Sequence, residues 1–462
     1  MKILKFGGTS LKDEDRVRQV ADIILAQKDS VAVVVSAFAG VTDRLIRMAE
    51  KAAKGDKSYL QDEKNIEEKH IAMAKALIDS KNQSLMVSRI ILKFNDLHDI
   101  LHGIFLVREL SPRMLDVVMS FGERLSAFIL ANVLHGKNSE AYYLDARSLI
   151  RTNRRFGKAG VDYQKTFTLI REHFNENHGL PVITGFIGAT SEGETTTLGR
   201  SGSDFTASIF GAALKADEIQ IWTDVNGVLT ADPAIVTDAF TIPDLSYEEA
   251  MELSHFGAEV VHPATMQPAL EAHIPIRIKN TLNPQAAGTV IGQPARDWKF
   301  PIKSLSSVKE VALVNVIGSG MIGETGIAGR IFSTLAREKI NIILITQASS
   351  EHSVCFAVSP ACAQRAKQAL EKELKLELLE KRVNRVQVES DLSIIAVVGE
   401  NMRRTPGIAG QVFQALGRQQ INISAIAQGS SELNISLVIA RKDLADALNA
   451  IHQQFFNRKG KS

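Results

Sequence analysis

A stretch of this 462-residue chain occurs twice, and that repeat limits the folds open to it more than any other feature. Gly326-Ile-Ala-Gly-Arg-Ile-Phe returns as Gly407-Ile-Ala-Gly-Gln-Val-Phe, and an ungapped alignment of 326–358 with 407–439 agrees at 15 of 33 positions, always 81 residues apart. A fixed offset over that length means one supersecondary unit used twice. The apolar pattern of the first copy reads strand, helix, strand, strand: Val311–Ile317, Ile327–Glu338, Asn341–Gln347 and Ser353–Val358, with a further helix over Ala361–Glu373. The second copy ends soon after its last helix, Leu444–Phe455, and so lacks a final strand. Residues 301–307, just ahead of the first copy, are the segment expected to supply it, which nests the first module inside the second. One loop of the repeat, Gly318-Ser-Gly320-Met-Ile-Gly323, has the spacing of a dinucleotide fingerprint. The second copy carries Gly399-Glu-Asn401-Met-Arg-Arg404 there and no acidic residue ends the strand 340–347, so the glycines read as part of the repeat.

The remaining 300 residues begin as a βαβ unit. Lys2–Phe6 is a short apolar strand, Asp13–Gln27 an amphipathic helix, and Val31–Ser36 a β-branched run suited to a parallel strand covered on both faces. Residues 58–136 read as helical almost throughout, either a cap or dimer surface over the sheet or a plain packed insertion. Strands return at 141–144, 181–185, 218–222 and 275–279. Pro284, Gly288, Gly292 and Pro294 then mark a linker, with a domain boundary near 297. The charge balance, 54 Lys and Arg against 52 Asp and Glu, lacks the basic excess of a nucleic-acid binder. The longest apolar stretch, Val31–Val41, is shorter than the roughly 20 residues of a membrane span. Two cysteines, Cys355 and Cys362, make no disulfide framework and point to a reducing, cytoplasmic setting.

Three polar loops fall where strands end. Lys5-Phe-Gly-Gly-Thr-Ser10 combines glycines that admit an anion close to backbone N–H groups with a full positive charge, which makes a phosphate cradle. Thr197-Leu-Gly-Arg-Ser-Gly-Ser-Asp204 carries one Arg and one Asp ahead of a small-residue helix, and Ile221-Trp-Thr-Asp-Val-Asn-Gly227 follows another strand. In open α/β sheets that edge is where ligands bind. Cations, hydroxyls and carboxylates together suit phosphoryl transfer to an anionic acceptor.

These loops, with Ser36-Ala-Phe-Ala-Gly-Val-Thr42, Phe121-Gly-Glu-Arg124, Glu249-Ala-Met-Glu-Leu-Ser254 and His262-Pro263, resemble aspartokinase in order along nearly the whole chain. The resemblance implies an α/β amino-acid-kinase fold over 1–297, a mostly parallel sheet sandwiched by helices. Two ferredoxin-like βαββαβ ACT modules follow over 301–462, the first copy at 308–389 and the second at 390–462 with the strand 301–307. It further implies transfer of the γ-phosphoryl group of MgATP to the side chain of L-aspartate, with Mg2+ carried by ATP and no direct protein ligand. Lys5 and Asp204 take the catalytic roles. Lys5, Gly7, Gly8, Ser10, Thr223, Asp224, Asp232 and Lys279 would serve ATP, and Thr42, Glu123, Arg200 and Ser203 would hold aspartate. Arg200 has the planar fork that grips a carboxylate.

The chain departs from the family at Leu229, Ala234 and Glu259, where Tyr, Arg and Lys are usual. Two cations near the nucleotide are absent, with Lys279 or Arg277 as candidate replacements. A catalytically impaired amino-acid-sensing pseudokinase is therefore the second reading. ACT modules pair edge to edge and bind amino acids, which implies feedback control and a homodimer or tetramer. Gln347 and Gln428, each two residues ahead of a Ser-Ser-Glu triplet, offer amides suited to a neutral side chain, so threonine is favoured over lysine, while Glu351 and Glu432 keep lysine open.

Overall fold

The structure is a computed structural model that describes residues 1–137, 139–257, 262–293, 298–321, 325–347 and 352–456. The chain forms two compact units. The first comprises Met1–Val228, Thr241–Tyr247 and Val260–Pro294; the second comprises Leu229–Phe240, Glu248–Glu259 and Ala295–Ser462.

In the first unit the strands are β1 (Lys2–Phe6), β2 (Val31–Val35), β3 (Ala141–Leu144), β4 (Leu180–Thr184), β5 (Ile187–Ala189), β6 (Thr195–Thr197), β7 (Glu218–Thr223), β8 (Asp244–Ser246), β9 (Ile276–Asn280) and β10 (Thr289–Gly292). Eight of them make one sheet in the order β3-β4-β2-β1-β7-β9-β10-β8, while β5 and β6 pair as a separate ribbon. Every pairing in the large sheet is parallel except β9 with β10. The all-buried Val-Ala-Val-Val-Val of β2 is what a strand covered on both faces requires. Three helices, Tyr59–Leu77, Ser80–Val107 and Pro112–Gly136, fill the helical stretch 58–136, and they share one apolar cluster with Leu4, Phe6, Val33, Val35 and Trp222. Those helices therefore cover one face of the sheet. Pro112–Gly136 is long and apolar enough to cross a membrane, but 83% of its most apolar window is buried inside the protein, which marks it as a core helix.

The second unit holds β11 (Ser304–Ile317), β12 (Ile342–Gln347), β13 (Ser353–Val358), β14 (Arg385–Val398), β15 (Ile423–Gln428) and β16 (Asn434–Ala440), antiparallel in the order β12-β13-β11-β14-β16-β15. Both repeats use β11 and β14. Residues 304–308 of β11 pair with 394–398 of β14 beside β16, whereas 313–317 pair with 385–389 and, on the other side, with β13. Register shifts at 308–313 bend the strand between the two modules. The glycines of the dinucleotide-like loop have a packing role: a Cβ on Gly318 would lie 2.2 Å from Arg382 O, and one on Gly320 2.6 Å from Arg382 Cα. Gly323 lies outside the described residues.

Two segments that the sequence reading assigns to 1–297 pack on the repeats instead. Thr230 bonds His452 Nε2 at 2.9 Å through its hydroxyl, and its carbonyl accepts Leu305 N–H at 2.8 Å. Glu249 Oε1 accepts Glu400 N–H at 2.7 Å, and Ser306 donates to the carbonyls of Leu253 and Phe256. Phe240 lies among Trp298, Phe300, His452 and Phe456. Local periodicity carries no trace of this docking, because both segments are short and irregular apart from Tyr247–His255.

Candidate active site

A cleft of about 620 Å³ opens beyond the carboxyl ends of β1 and β2. Lys5, the fourth residue of β1, enters it from the sheet, while Gly8 and the Ser36–Gly40 turn form the rim. Thr42 comes from the helix Val41–Lys54, Glu123 from Pro112–Gly136, and Arg200, Ser203 and Asp204 from the loop and first turn of the helix Gly202–Leu214. Seven residues separated by up to 199 positions thus share one wall. Ser201, at φ +55°, turns the chain into that helix, which places Ser203 on the cleft and Asp204 against Lys5.

Lys5 Nζ is 2.6 Å from Asp204 Oδ1, both side chains nearly buried; the contact is an ion pair without hydrogen-bond directionality. An ammonium held this way has its charge fixed in place before any phosphate arrives, which is what electrostatic catalysis of phosphoryl transfer needs. Glu123 is 3% exposed. Its Oε1 accepts Ala37 N–H at 3.1 Å and its Oε2 has no partner among the described residues, so burial pushes its carboxyl up to about 8, opposed by the Ala37 bond and by Lys5. A buried acceptor with an open lone pair at a cleft wall is built to receive a cationic group. Arg200, exposed at the same cleft, has no anionic partner among the described residues. Cation acceptor and anion clamp together fit a zwitterion.

The other expected ATP residues do not line this cleft, although Gly7 lies against Lys5, where a Cβ would be 3.6 Å from Nζ. Gly7 N–H is bonded to Trp222 O at 3.3 Å. Ser10 is buried, its hydroxyl shared between Trp222 O and the Thr281 hydroxyl at 2.7 Å. Thr223 ends β7, beside β1, and Asp224 follows it, with a 3.1 Å bond between their side chains. Lys279 does not join Lys5: the cross-strand partners of Lys5 run through Ile221 to Ile278, those of Phe6 through Trp222 to Lys279. Alternation along a strand therefore puts the two lysines on opposite faces. Lys279 Nζ sits 5.1 Å over the Trp222 ring, its pKa lowered by burial and then by Arg277. Asp232 belongs to the second unit, where Lys309 lies 3.3 Å away and Ala234 N–H caps its carboxylate. Gln347 and Gln428 end β12 and β15, the two edges of the six-stranded sheet, and both are exposed. Glu259 and Glu351 lie outside the described residues; Glu432 accepts Arg404 N–H at 2.7 Å.

Sequence reasoning missed Phe186, Met119 and Asp116. Phe186 lines the cleft with φ +69°, a strained setting for an aromatic residue. Met119 also lines it, and Asp116 lies one turn earlier on the same helix. The spacing 116, 119, 123 is a helical-face signal that was legible in principle.

Comparison with known proteins bears on this geometry. Residues 1–280 match the amino acid kinase family, and residues 314–374 and 395–455 each match the ACT domain. Aspartokinase 1, chloroplastic, of Arabidopsis thaliana is 33% identical over 465 residues, covering 98% of this chain and 80% of that protein. The chain belongs to the aspartokinase family. Among the aspartokinases of known structure, E. coli aspartokinase III in complex with aspartate and ADP superposes with a TM-score of 0.82 at 30% identity, covering 98% of this chain and 99% of that one. The same enzyme in complex with lysine and aspartate gives 0.80. The bifunctional aspartokinase/homoserine dehydrogenase 2, chloroplastic, of A. thaliana is 38% identical over 460 residues, 98% of this chain and 50% of that protein. The chain spans about half the length of the bifunctional relatives it matches.

Proposed function

We propose that the chain transfers the γ-phosphoryl group of MgATP to the side-chain carboxylate of L-aspartate, giving 4-phospho-L-aspartate. One observation carries the reading: Glu123 Oε2 and Arg200, both without partners among the described residues, and the Lys5–Asp204 pair all face one cleft. Glu123 receives the α-ammonium and Arg200 grips a carboxylate bidentately, with Thr42 and Ser203 alongside. The free carboxylate oxygen of aspartate attacks the γ-phosphorus, the bond to the β-phosphate oxygen breaks, and ADP leaves. Lys5 offsets the charge on the transferring group, while Asp204 holds Lys5 in place. Gly8 borders the phosphates, with Thr223 and Asp224 on the nucleotide side and Mg2+ arriving as part of MgATP.

The reaction would open the route from aspartate to lysine, threonine and methionine, in a cytoplasmic setting that suits two free cysteines. Regulation is read from the tandem ACT repeat, whose unit includes Leu229–Phe240, a stretch that interrupts the first unit between β7 and β8. Exposed amides at Gln347 and Gln428 favour threonine as the inhibitor, and the ACT repeats are the part through which a homodimer or tetramer would form.

The test is trapping of the acyl phosphate as its hydroxamate after incubation with MgATP and L-aspartate, against Lys5→Ala. Product above that variant supports the reading, and none at any ATP concentration rejects it. The second reading, a non-catalytic amino-acid sensor, draws on Ala234 and on Asp232 lying in the second unit, and the intact Lys5–Asp204 pair weighs against it. Threonine or lysine added to the same assay decides the effector.

A further inference from the structure

Asp116 is fully buried, yet it has no ion pair among the described residues. Its Oδ2 accepts Gly157 N–H at 2.9 Å and Thr197 N–H at 3.0 Å, and its Oδ1 accepts the Thr197 hydroxyl at 2.7 Å. A carboxylate removed from water without a cation is costly, and burial does raise its pKa against those three bonds. Every donor it engages lies on the cleft wall, since Gly157 and Thr197 both line it. Those two segments are also tied to each other: Ala159 N–H donates to Thr197 O at 2.9 Å. Gly199, at φ +81°, rests on the same support, where a Cβ would come within 3.3 Å of Lys158 Cγ. Arg200 is the next residue. On the other side, Asp116 and Glu123 are seven residues apart on one helix, two turns along the same face.

One buried carboxylate thus joins the helix that carries the ammonium acceptor to the strand end that carries the carboxylate clamp. We infer that Asp116 is a positioning residue that sets the distance between Glu123 and Arg200, and with it the fit of a four-carbon amino dicarboxylate. The inference rests on the kinase reading above. Lys5 reaches the cleft from β1, outside this network, so the nucleotide side is not governed by Asp116.

The full chain is assayed with aspartate varied at saturating ATP, and with ATP varied at saturating aspartate. Displacing a binding group by about 1 Å can cost up to a hundredfold, so Asp116→Ala is expected to raise KM for aspartate at least about tenfold. KM for ATP should stay within about twofold, since no group that orients the nucleotide is touched. Asp116→Asn keeps an oxygen acceptor for both amides and should remain within about threefold of the parent. Asp116→Glu keeps the charge but lengthens the arm by a methylene, and should raise KM for aspartate by itself; it decides the matter if the alanine variant does not fold. An unchanged KM for aspartate in Asp116→Glu, equal rises for both substrates, or an asparagine variant no better than alanine would overturn the inference. A parent protein that makes no hydroxamate rejects the kinase reading instead, so the two failures are distinct.

Discussion

Glu123 offers the sharpest test of how the cleft reads its acceptor. Its carboxyl is buried, with one oxygen bonded to Ala37 N–H and the other without a partner among the described residues, and burial pushes its pKa up to about 8. A group with that pKa is ionised in only about one molecule in ten at pH 7. Receiving an ammonium requires the ionised form, so binding must expel a proton, and the bound state holds fewer protons than the free one. Affinity therefore rises with pH until the free carboxyl is ionised and is flat above. Each pH unit below 8 costs about 1.4 kcal/mol, so KM for aspartate should be about tenfold above its plateau at pH 7 and about a hundredfold above it at pH 6. Steady-state kinetics between pH 6 and 8.5 give the slope, and calorimetry in two buffers of different ionisation enthalpy counts the proton. Glu123→Gln should abolish the slope while raising KM by about 10- to 100-fold, the worth of one hydrogen bond to a charged group. A parent KM that changes less than about threefold across that range, or a glutamine variant that keeps the slope, would refute the assignment.

Three further outcomes follow from the same geometry. Lys5→Ala should lower kcat by about 10²- to 10³-fold with a smaller effect on KM for aspartate, since it removes charge aimed at the transferring group. Lys279→Ala should change KM for ATP by less than about threefold, because its side chain leaves the opposite face of the sheet from Lys5 and sits over the Trp222 ring instead. His70 is fully buried between Phe38 and Phe94, its Nδ1 near Ile66 O and its Nε2 without a partner among the described residues, and burial lowers its pKa to about 4. The unfolded chain binds this proton below about 6.5 and the folded one does not, so stability is lost as pH falls from 6.5 toward 4, by roughly 3 kcal/mol in all. His70→Leu should therefore raise the thermal midpoint more at pH 5 than at pH 8, and an equal gain at both would show that the ring's titration is not the cause.

The fold was legible wherever a single element carries its own period. Lys2–Phe6 and Val31–Val35 are apolar runs bounded by turn residues, and the repeat at offset 81 announced two copies of one module. The helical stretch 58–136 gave its composition away but not its three-way division: the break at 108–111 rests on one αL residue, Arg108, and on the Ser111-Pro112 cap, and the break at 78–79 on the extended backbone of Ile78. The short strands β5, β6, β8 and β10 were missed because, unlike the four-residue β3, each is polar or carries a glycine and shows no apolar run. The docking of Leu229–Phe240 on the repeats depends on pairs such as Thr230 with His452, 222 residues apart, and no local pattern encodes those.

For the site, motif resemblance found the residues whose chemistry is named by their type, and the cleft gathers Lys5, Gly8, Thr42, Glu123, Arg200, Ser203 and Asp204. It could not assign faces. Lys5 and Lys279 look equivalent as basic residues near strand ends, yet register decides between them: Lys5 aligns with Ile278, one residue short of Lys279, and one residue is a full change of side in a pleated sheet. Resemblance was equally silent about what holds the binding groups apart. Asp116 looks in sequence like any acid on a helix, and its role is visible only once Gly157 and Thr197, 41 and 81 positions away, are seen to converge on its two oxygens. A site of this kind is therefore written twice, once in the residues that touch substrate and once in the buried polar groups that space them, and only the first of these is carried by residue type.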